Sequence, residues 1–429
     1  MARLARSPLF LMALTVFIDI TGFGLILPLL PFWAERLGAG PVGVGLILTV
    51  YALAQFLFTP VLGSLSDRYG RRPVILISLL IEALGFALTA LAGALPFLLL
   101  ARFIGGLGSS NLGSAQAVVS DVTPPAGRAR GMGAIGAAIG LGFVVGPALG
   151  GALTALGAMV PFWAAMGVAL VNALLVWRFL PETRKRRAAV AAGEPAERRK
   201  ADLFGGWRSL RYPAVARLVG INLLFTIAFT AMETVFPLFS QRVFGWTAVQ
   251  NGYIFTYVGV VVVIMQGGLV GQLVRRFGEK ALLVGGLALL AVGLALLPFS
   301  ATLGVLLLAL GLLSAGEGAV SPTSSALLSF AGPPEAQGET LGLAQGVSGL
   351  GRIIGPLAAG GLFAVGVGVP FWAGAALVLL AALIALPALP GAVRHSTDAE
   401  LQVAAADGQN AYNPITGTPE EQELFTRSH

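Results

Sequence analysis

Between residues 9 and 390 the chain is a succession of apolar runs, each about twenty residues long, separated by short clusters of charge, glycine and proline. A run of that length crosses the hydrocarbon of a bilayer as a helix, and only a helix or a closed barrel satisfies its own backbone there. The runs lie near 9–31, 42–65, 73–93, 95–118, 131–153, 161–180, 215–239, 247–270, 281–298, 303–325, 340–363 and 370–390. Twelve spans of this kind need roughly 240 apolar positions, which 56% of 429 residues supplies. Charged residues make up 11%, under half of the ~25% that coats a soluble domain. A soluble enzyme is excluded. The expected fold is an all-α membrane protein of twelve transmembrane helices.

The charge distribution orients it. Of 27 basic residues, 23 fall in the termini and the even-numbered loops, two within spans (Arg102 and Arg352) and two in the odd-numbered loops (Arg36 and Arg242). This is the positive-inside pattern, which places both termini in the cytoplasm of a cell (inner or plasma) membrane protein and needs no nucleic-acid partner. The first span follows Arg3 and Arg6 as a signal peptide would, but it is too long, carries Asp19 and lacks a small-residue cleavage site, so it reads as a retained helix. The chain has no cysteine, and both histidines, His395 and His429, lie in a polar tail. No metal site or cofactor is expected. No GxxxxGK[ST] string supplies a phosphate loop for ATP-driven pumping.

The organisation is duplicated. GSLSDRYGRR (63–72) faces GQLVRRFGEK (271–280) at an offset of 208, while PP (124–125 and 333–334), GP (146–147 and 355–356) and PFW (161–163 and 370–372) repeat at 209. The reading is a six-helix half over 1–180, a charged cytoplasmic linker over 181–213, a second half over 214–393 and a disordered cytoplasmic tail over 394–429. Membrane proteins built from repeats place a substrate site between them near the midplane and alternate access by rocking one against the other.

Three motifs carry chemistry. In GSLSDRYGRRP (63–73), Gly63 permits close helix approach, Gly70 permits a tight turn, and Asp67 can pair with Arg68, Arg71 and Arg72. The bland alternative is ordinary loop charge. In GFVVGPALGG (142–151), Gly142, Gly146, Gly150 and Gly151 put small residues on the helix with a kink at Pro147, which ordinary small-residue packing would also explain. Span one contains FIDITGFGLILPLLP (17–31). Together these resemble the major facilitator superfamily, and the helix-five motif with span one resembles its twelve-helix drug:proton antiporter branch of tetracycline and multidrug exporters. The resemblance implies two pseudo-symmetric six-helix halves, a cytoplasmic latch centred on Asp67 with Asp121 as acidic partner, and a helix-five bend that seals against proton leak. In the repeat, Arg275 replaces the latch aspartate, and residues 281–298 lack the acidic residue that tetracycline exporters carry in span nine.

Asp19, Glu82, Glu233, Glu317, Arg102 and Arg352 interrupt apolar helices. Each is costly against lipid, so each must face a wet cavity or a partner. Asp19 and Glu82 lie at a similar depth, roughly 14 Å from their helix starts, which suits a proton-loading pair. Arg102 resembles the family's intramembrane arginine, implied to assist proton transfer. The alternative is static salt bridges that hold helices together, with Arg352 pairing Glu317. Asn111, Gln116, Asn222, Gln266 and Gln345 place amides within spans as interhelical bonds or substrate ligands, and Phe225, Phe229 and Phe236 follow helical spacing as a cavity lining or as packing. Trp33 and Trp246 read as interfacial anchors.

The expected activity is secondary active transport by alternating access, exporting a small amphiphilic drug-like molecule against protons, from a monomer in the lipid bilayer. The alternatives are a uniporter or symporter for a sugar or other small metabolite, or a channel or membrane-bound enzyme.

Overall fold

The structure, a computed structural model, describes residues 8–110, 112–123, 128–182, 209–331 and 337–386. Asn111, the linker between 183 and 208, the tail from 387 onward and the PP pairs at 124–125 and 333–334 lie outside the described residues. The described chain is helical in the order that the apolar runs predict. Span one is α1 (Pro8–Ile26) and α2 (Leu30–Arg36), followed by α3 (Pro41–Tyr69) and α4 (Arg71–Ala90). Span four is α5 (Leu95–Gly108) with α6 (Leu112–Val122), followed by α7 (Arg128–Thr154) and α8 (Val160–Phe179). The second half has α9 (Pro213–Phe244), α10 (Ala248–Ile264), α11 (Val270–Phe277), α12 (Glu279–Leu296), α13 (Leu303–Ala331), α14 (Gln337–Val365) and α15 (Val369–Ala385). Eleven spans are long and apolar enough to cross a membrane, and α15 is a shorter twelfth.

The breaks have local causes. Pro28 has no N–H to continue α1 and its ring obstructs the carbonyl four residues back, while Pro31 starts the next helix, so span one is interrupted between Ile26 and Leu30. Proline in the first turn starts α3, α5, α8, α9 and α15, where its missing N–H would have had no intrahelical partner. Thr247 and Gln250 form a capping box that starts α10. Between α10 and α11 the helix widens into a π turn, Met265–Leu269. Gly268 in that turn stands 208 residues after Pro60 inside α3, so the two repeats disturb the same level of the helix by different means.

The halves repeat their packing. In the first, α1 lies on α7 and α8, and α4 on α5 and α8; in the second, α9 lies on α14 and α15, and α12 on α13 and α15. Between halves, α3 packs along α14 and α7 along α10. The bundle has a basic end, carrying Arg68, Arg71, Arg72, Arg275 and Arg276, and a far end, carrying the α2–α3 and α9–α10 turns. The seams run from the far end to mid-bundle and are built on glycine: Gly151 meets Gly252, Gly259 meets Val144, Gly45 meets Pro356, Gly360 meets Val42 and Gly349 meets Phe56. Nearer the basic end, Gly133, Gly136, Gly267, Gly268, Gly342 and Gly346 have no neighbour within 4 Å of a would-be side chain. Among the described residues, the halves are joined at the far end and apart at the basic end.

Candidate functional site

The first charged cluster is mid-membrane in the first half. Gly85 and Gly105 let α4 and α5 touch backbone to backbone, and Gly108 packs against the Glu82 backbone. That contact buries Glu82 and Arg102 to 1% exposure each. Asp19, half-buried on α1, interacts side chain to side chain with Glu82. Arg102 also acts electrostatically on Glu82, yet the three guanidinium nitrogens and both Glu82 oxygens have no hydrogen-bond partner. The Arg102 guanidinium instead lies over the Tyr51 ring, 4.2 Å from its centroid. The static Arg102 salt bridge, the alternative that the sequence left open, does not form with Glu82. Asp19, Glu82 and Arg102 thus come together from three helices, with Glu82 and Arg102 near one another but not in hydrogen-bond contact.

The second cluster is in the other half, and the two do not correspond. Offset by 209, Glu317 falls opposite Gly108 and Arg352 opposite Phe143. Glu233 lies on α9 beside a cavity of about 10 Å³ lined by Phe229, Met232, Phe236, Ile254, Phe255, Val258 and Leu310, room for about one water. Glu317 on α13 is its electrostatic neighbour and keeps Oε2 buried without a hydrogen bond. Arg352 does not ion-pair Glu317. It is exposed on α14 and interacts electrostatically with Glu233 and, across the seam, with Tyr51. One residue further along, the Ile353 carbonyl accepts a hydrogen bond from Thr49 at 3.0 Å.

The amides and rings divide. Asn222 donates to Ser348 Oγ at 2.9 Å, joining α9 to α14. Gln266 and Gln345 are exposed, and Gln116 is half-buried. Phe225 and Phe229 stack at 6.0 Å, and Phe236 sits edge-on to Phe255 at 5.8 Å; Phe229 and the buried Phe236 both line the Glu233 cavity, while Phe225 packs beside it. Trp33 is buried against Phe162 rather than lying at a lipid interface, because the α2 turn folds it inward. Sequence reasoning missed Tyr51, Gln55 and Ser109. Tyr51 donates to Ser109 Oγ at 2.5 Å, and Gln55 donates to the Ser109 carbonyl at 3.2 Å. The signal was present: two polar residues one helical turn apart inside an apolar run.

At the basic end, Arg71 gathers the loop motif. It pairs with Asp67 at 2.8 Å and Asp121 at 3.2 Å, and donates to Ser66 at 2.6 Å. Arg72 donates to the Trp177 carbonyl, and Arg68 lies over Tyr69. Gly70 takes φ +111°, as the turn requires, but Gly63 has no neighbour within 4 Å and permits no close approach. Glu182, not anticipated, accepts from the Arg71 and Arg72 backbone N–H groups at 2.9 and 3.2 Å. In the motif of span five, Gly142, Gly146 and Gly150 seat α7 on Ile20, Gly24 and Leu25 of α1, while Gly151 faces α10.

Two copies of a six-helix unit, meeting along the second and fifth spans of each, with charge buried at mid-depth, are the architecture of a transporter. The sequence profile described as Major Facilitator Superfamily matches residues 12–276 and 267–408. The chain belongs to the major facilitator superfamily. It is 33% identical to the class H tetracycline resistance protein of Pasteurella multocida over 82% of this chain and 88% of that one. It is 31% identical to the major facilitator superfamily domain-containing protein 10 of Bos taurus over 86% and 90%. The crystal structure of the human organic anion transporter MFSD10 (TETRAN) superposes with a TM-score of 0.67 at 29% identity, covering 89% of this chain and 99% of that one.

Proposed function

We propose that this transporter exports a small amphiphilic drug-like compound in exchange for protons, as a monomer whose basic end faces the cytoplasm. The observation that carries the reading is the Asp19–Glu82 pair, two acids from separate helices meeting at mid-helix beside an arginine that makes no hydrogen bond to Glu82. Such groups are too costly to keep in a membrane interior without a task, and Glu82, buried with neither oxygen hydrogen-bonded, can exchange a proton with Asp19 as access alternates. The tetracycline resistance relatives support drug export. Arg352, exposed on α14 beside the seam between the halves, favours cargo that bears an anionic group, and the solved relative described as an organic anion transporter supports the same feature.

The test is reconstitution in proteoliposomes with an imposed pH gradient, across cationic, neutral, zwitterionic and anionic compounds. Asp19→Asn and Glu82→Gln should stop gradient-driven accumulation while leaving substrate exchange, which moves no net proton. Full accumulation by both variants would remove the proton role from this pair, and a gradient-independent wild type would favour uniport of a metabolite instead.

A further inference from the structure

Arg102 presents a specific problem. Its guanidinium is 1% exposed, and none of its three nitrogens makes a hydrogen bond. Its placement beside Glu82 therefore needs another support. Tyr51 of α3 supplies one. The ring is 7% exposed, carries the guanidinium on its face with Cζ 4.2 Å from the centroid, and stacks with Phe23 of α1 at 5.5 Å. Its hydroxyl is tied to Ser109, at the end of the helix that carries Arg102, by a 2.5 Å hydrogen bond. Gly105 and Gly106 bring α5 onto α3 at this level. The ring is thus fixed from three directions, and the cation rests against it.

We infer that Tyr51 is a positioning residue for the acid pair, its ring holding Arg102 within range of Glu82 yet out of ion-pair contact. A desolvated guanidinium over an aromatic face is held by the ring quadrupole while its charge stays unneutralised. A carboxylate in the same place would quench that charge, and an aliphatic side chain would not hold it. The charged groups around the arrangement are Asp19 on α1, Glu82 on α4 and, from the opposite half, Arg352 on α14. Tyr51 is two residues from Thr49, whose hydroxyl bonds to Ile353 across the seam. The ring therefore stands where the joined far end meets the acid pair.

This role rests on the proton-coupled reading, and one experiment separates the two. Full-length protein in proteoliposomes is assayed for gradient-driven export over a range of pH with Tyr51→Phe, Tyr51→Leu, and phenylalanine of increasing fluorination placed at position 51. Phenylalanine keeps the ring and loses only the Ser109 bond, so it should preserve the pH profile. Fluorination drains the ring quadrupole at nearly constant shape and should lower the rate stepwise and displace the profile, reaching roughly tenfold to thirtyfold at full fluorination. Tyr51→Leu should match that loss, and if it does not fold, the fluorinated series stands alone. An unchanged rate and pH profile across the fluorinated series overturns the positioning role while leaving proton coupling intact, as does a Tyr51→Phe variant as impaired as the fully fluorinated one. A wild type that exports without a gradient removes the proton reading and this role with it.

Discussion

Pro147 and Pro356 occupy the same place in the two repeats, and each turns its carbonyl toward a glycine of the opposite half. The Pro147 carbonyl faces Gly252, where an added methyl would lie 2.6 Å from it, and the Pro356 carbonyl faces Gly45 in the same way. Proline at these positions leaves the carbonyl four residues back without its usual N–H donor, and the absence of a side chain on the facing glycine lets the two backbones meet. The GP pair of span five thus has a structural counterpart in span eleven, and two matching seams join the halves at the far end.

Those seams close only when the far end is shut, so bulk there should bias the conformational equilibrium rather than unfold either half. Gly45→Val and Gly252→Val are expected to cost the joined state about 1–3 kcal/mol through overpacking, shifting the population toward a far-end-open form. Spin labels at Arg36 and Val243, exposed at the far end of the two halves on a chain with no native cysteine, should report longer distances, and transport should fall at least tenfold. Wild-type distance distributions in both variants would show that the seams are not the gate.

Much of this was legible from sequence. Run length and the 208–209 offset determine twelve spans and their pairing, because lipid forces every backbone group into a helix and duplication forces equivalent contacts. Asp19 and Glu82 stood out as acids in apolar runs, and they do meet. What the sequence hid was direction. Static pairing of Arg102 and Arg352 with carboxylates stayed open as an alternative, because which face of a helix meets which neighbour depends on glycines whose contacts only the folded chain reveals. Gly105 and Gly106 seat α5 on Tyr51, so Arg102 finds a ring. Gly63 belongs to the same loop motif and touches nothing. Trp33 moved from interface to core because a proline break folds α2 inward.

Glu182 caps α4 from the end of the first half, accepting from two backbone N–H groups at a helix N-terminus, where an anion is favoured. Its removal by Glu182→Ala should lower stability by about 1 kcal/mol. Gly70→Ala should cost more. It forces a side chain into φ +111° and places its methyl 2.5 Å from the Glu182 carboxylate, with a strain of about 1–3 kcal/mol. Thermal unfolding in detergent measures both. A Gly70→Ala variant as stable as wild type would mean that the turn adopts another geometry.

Asp67 separates stability from transport. Its side chain is 66% exposed and its pair with Arg71 is a surface pair, worth no more than about 1 kcal/mol. Asp67→Asn should therefore melt within a degree or two of wild type, yet transport should drop several-fold if the carboxylate latches the basic end in the other access state. A wild-type transport rate at equal expression would reduce the loop to a topology signal.

The basic end is expected to face the cytoplasm. Leu156, 75% exposed beside the α7–α8 turn, and Phe277, 57% exposed at the end of α11, lie at opposite ends of the bundle. A membrane-impermeant maleimide should label Leu156→Cys in intact cells and Phe277→Cys only after permeabilisation. The reverse pattern would invert the transporter and the direction of export.

Packing and charge at Glu82 can be tested apart. A methyl at Gly108 would lie 2.7 Å from the Glu82 Cα, with backbone rather than a flexible side chain in the way. Gly108→Ala must push α5 from α4 and carry Arg102 and its ring contact with it, at about 1–3 kcal/mol of stability. Glu82→Gln leaves that packing intact and removes only the ionisable group. If the acid pair carries the proton, Gly108→Ala should lower both the melting temperature and gradient-driven transport, whereas Glu82→Gln should abolish gradient-driven transport with a melting temperature at or above wild type, since a buried amide is cheaper than a buried charge. A Glu82→Gln protein that melts several degrees lower would instead make Glu82 a structural anchor, and proton coupling would then rest on Asp19.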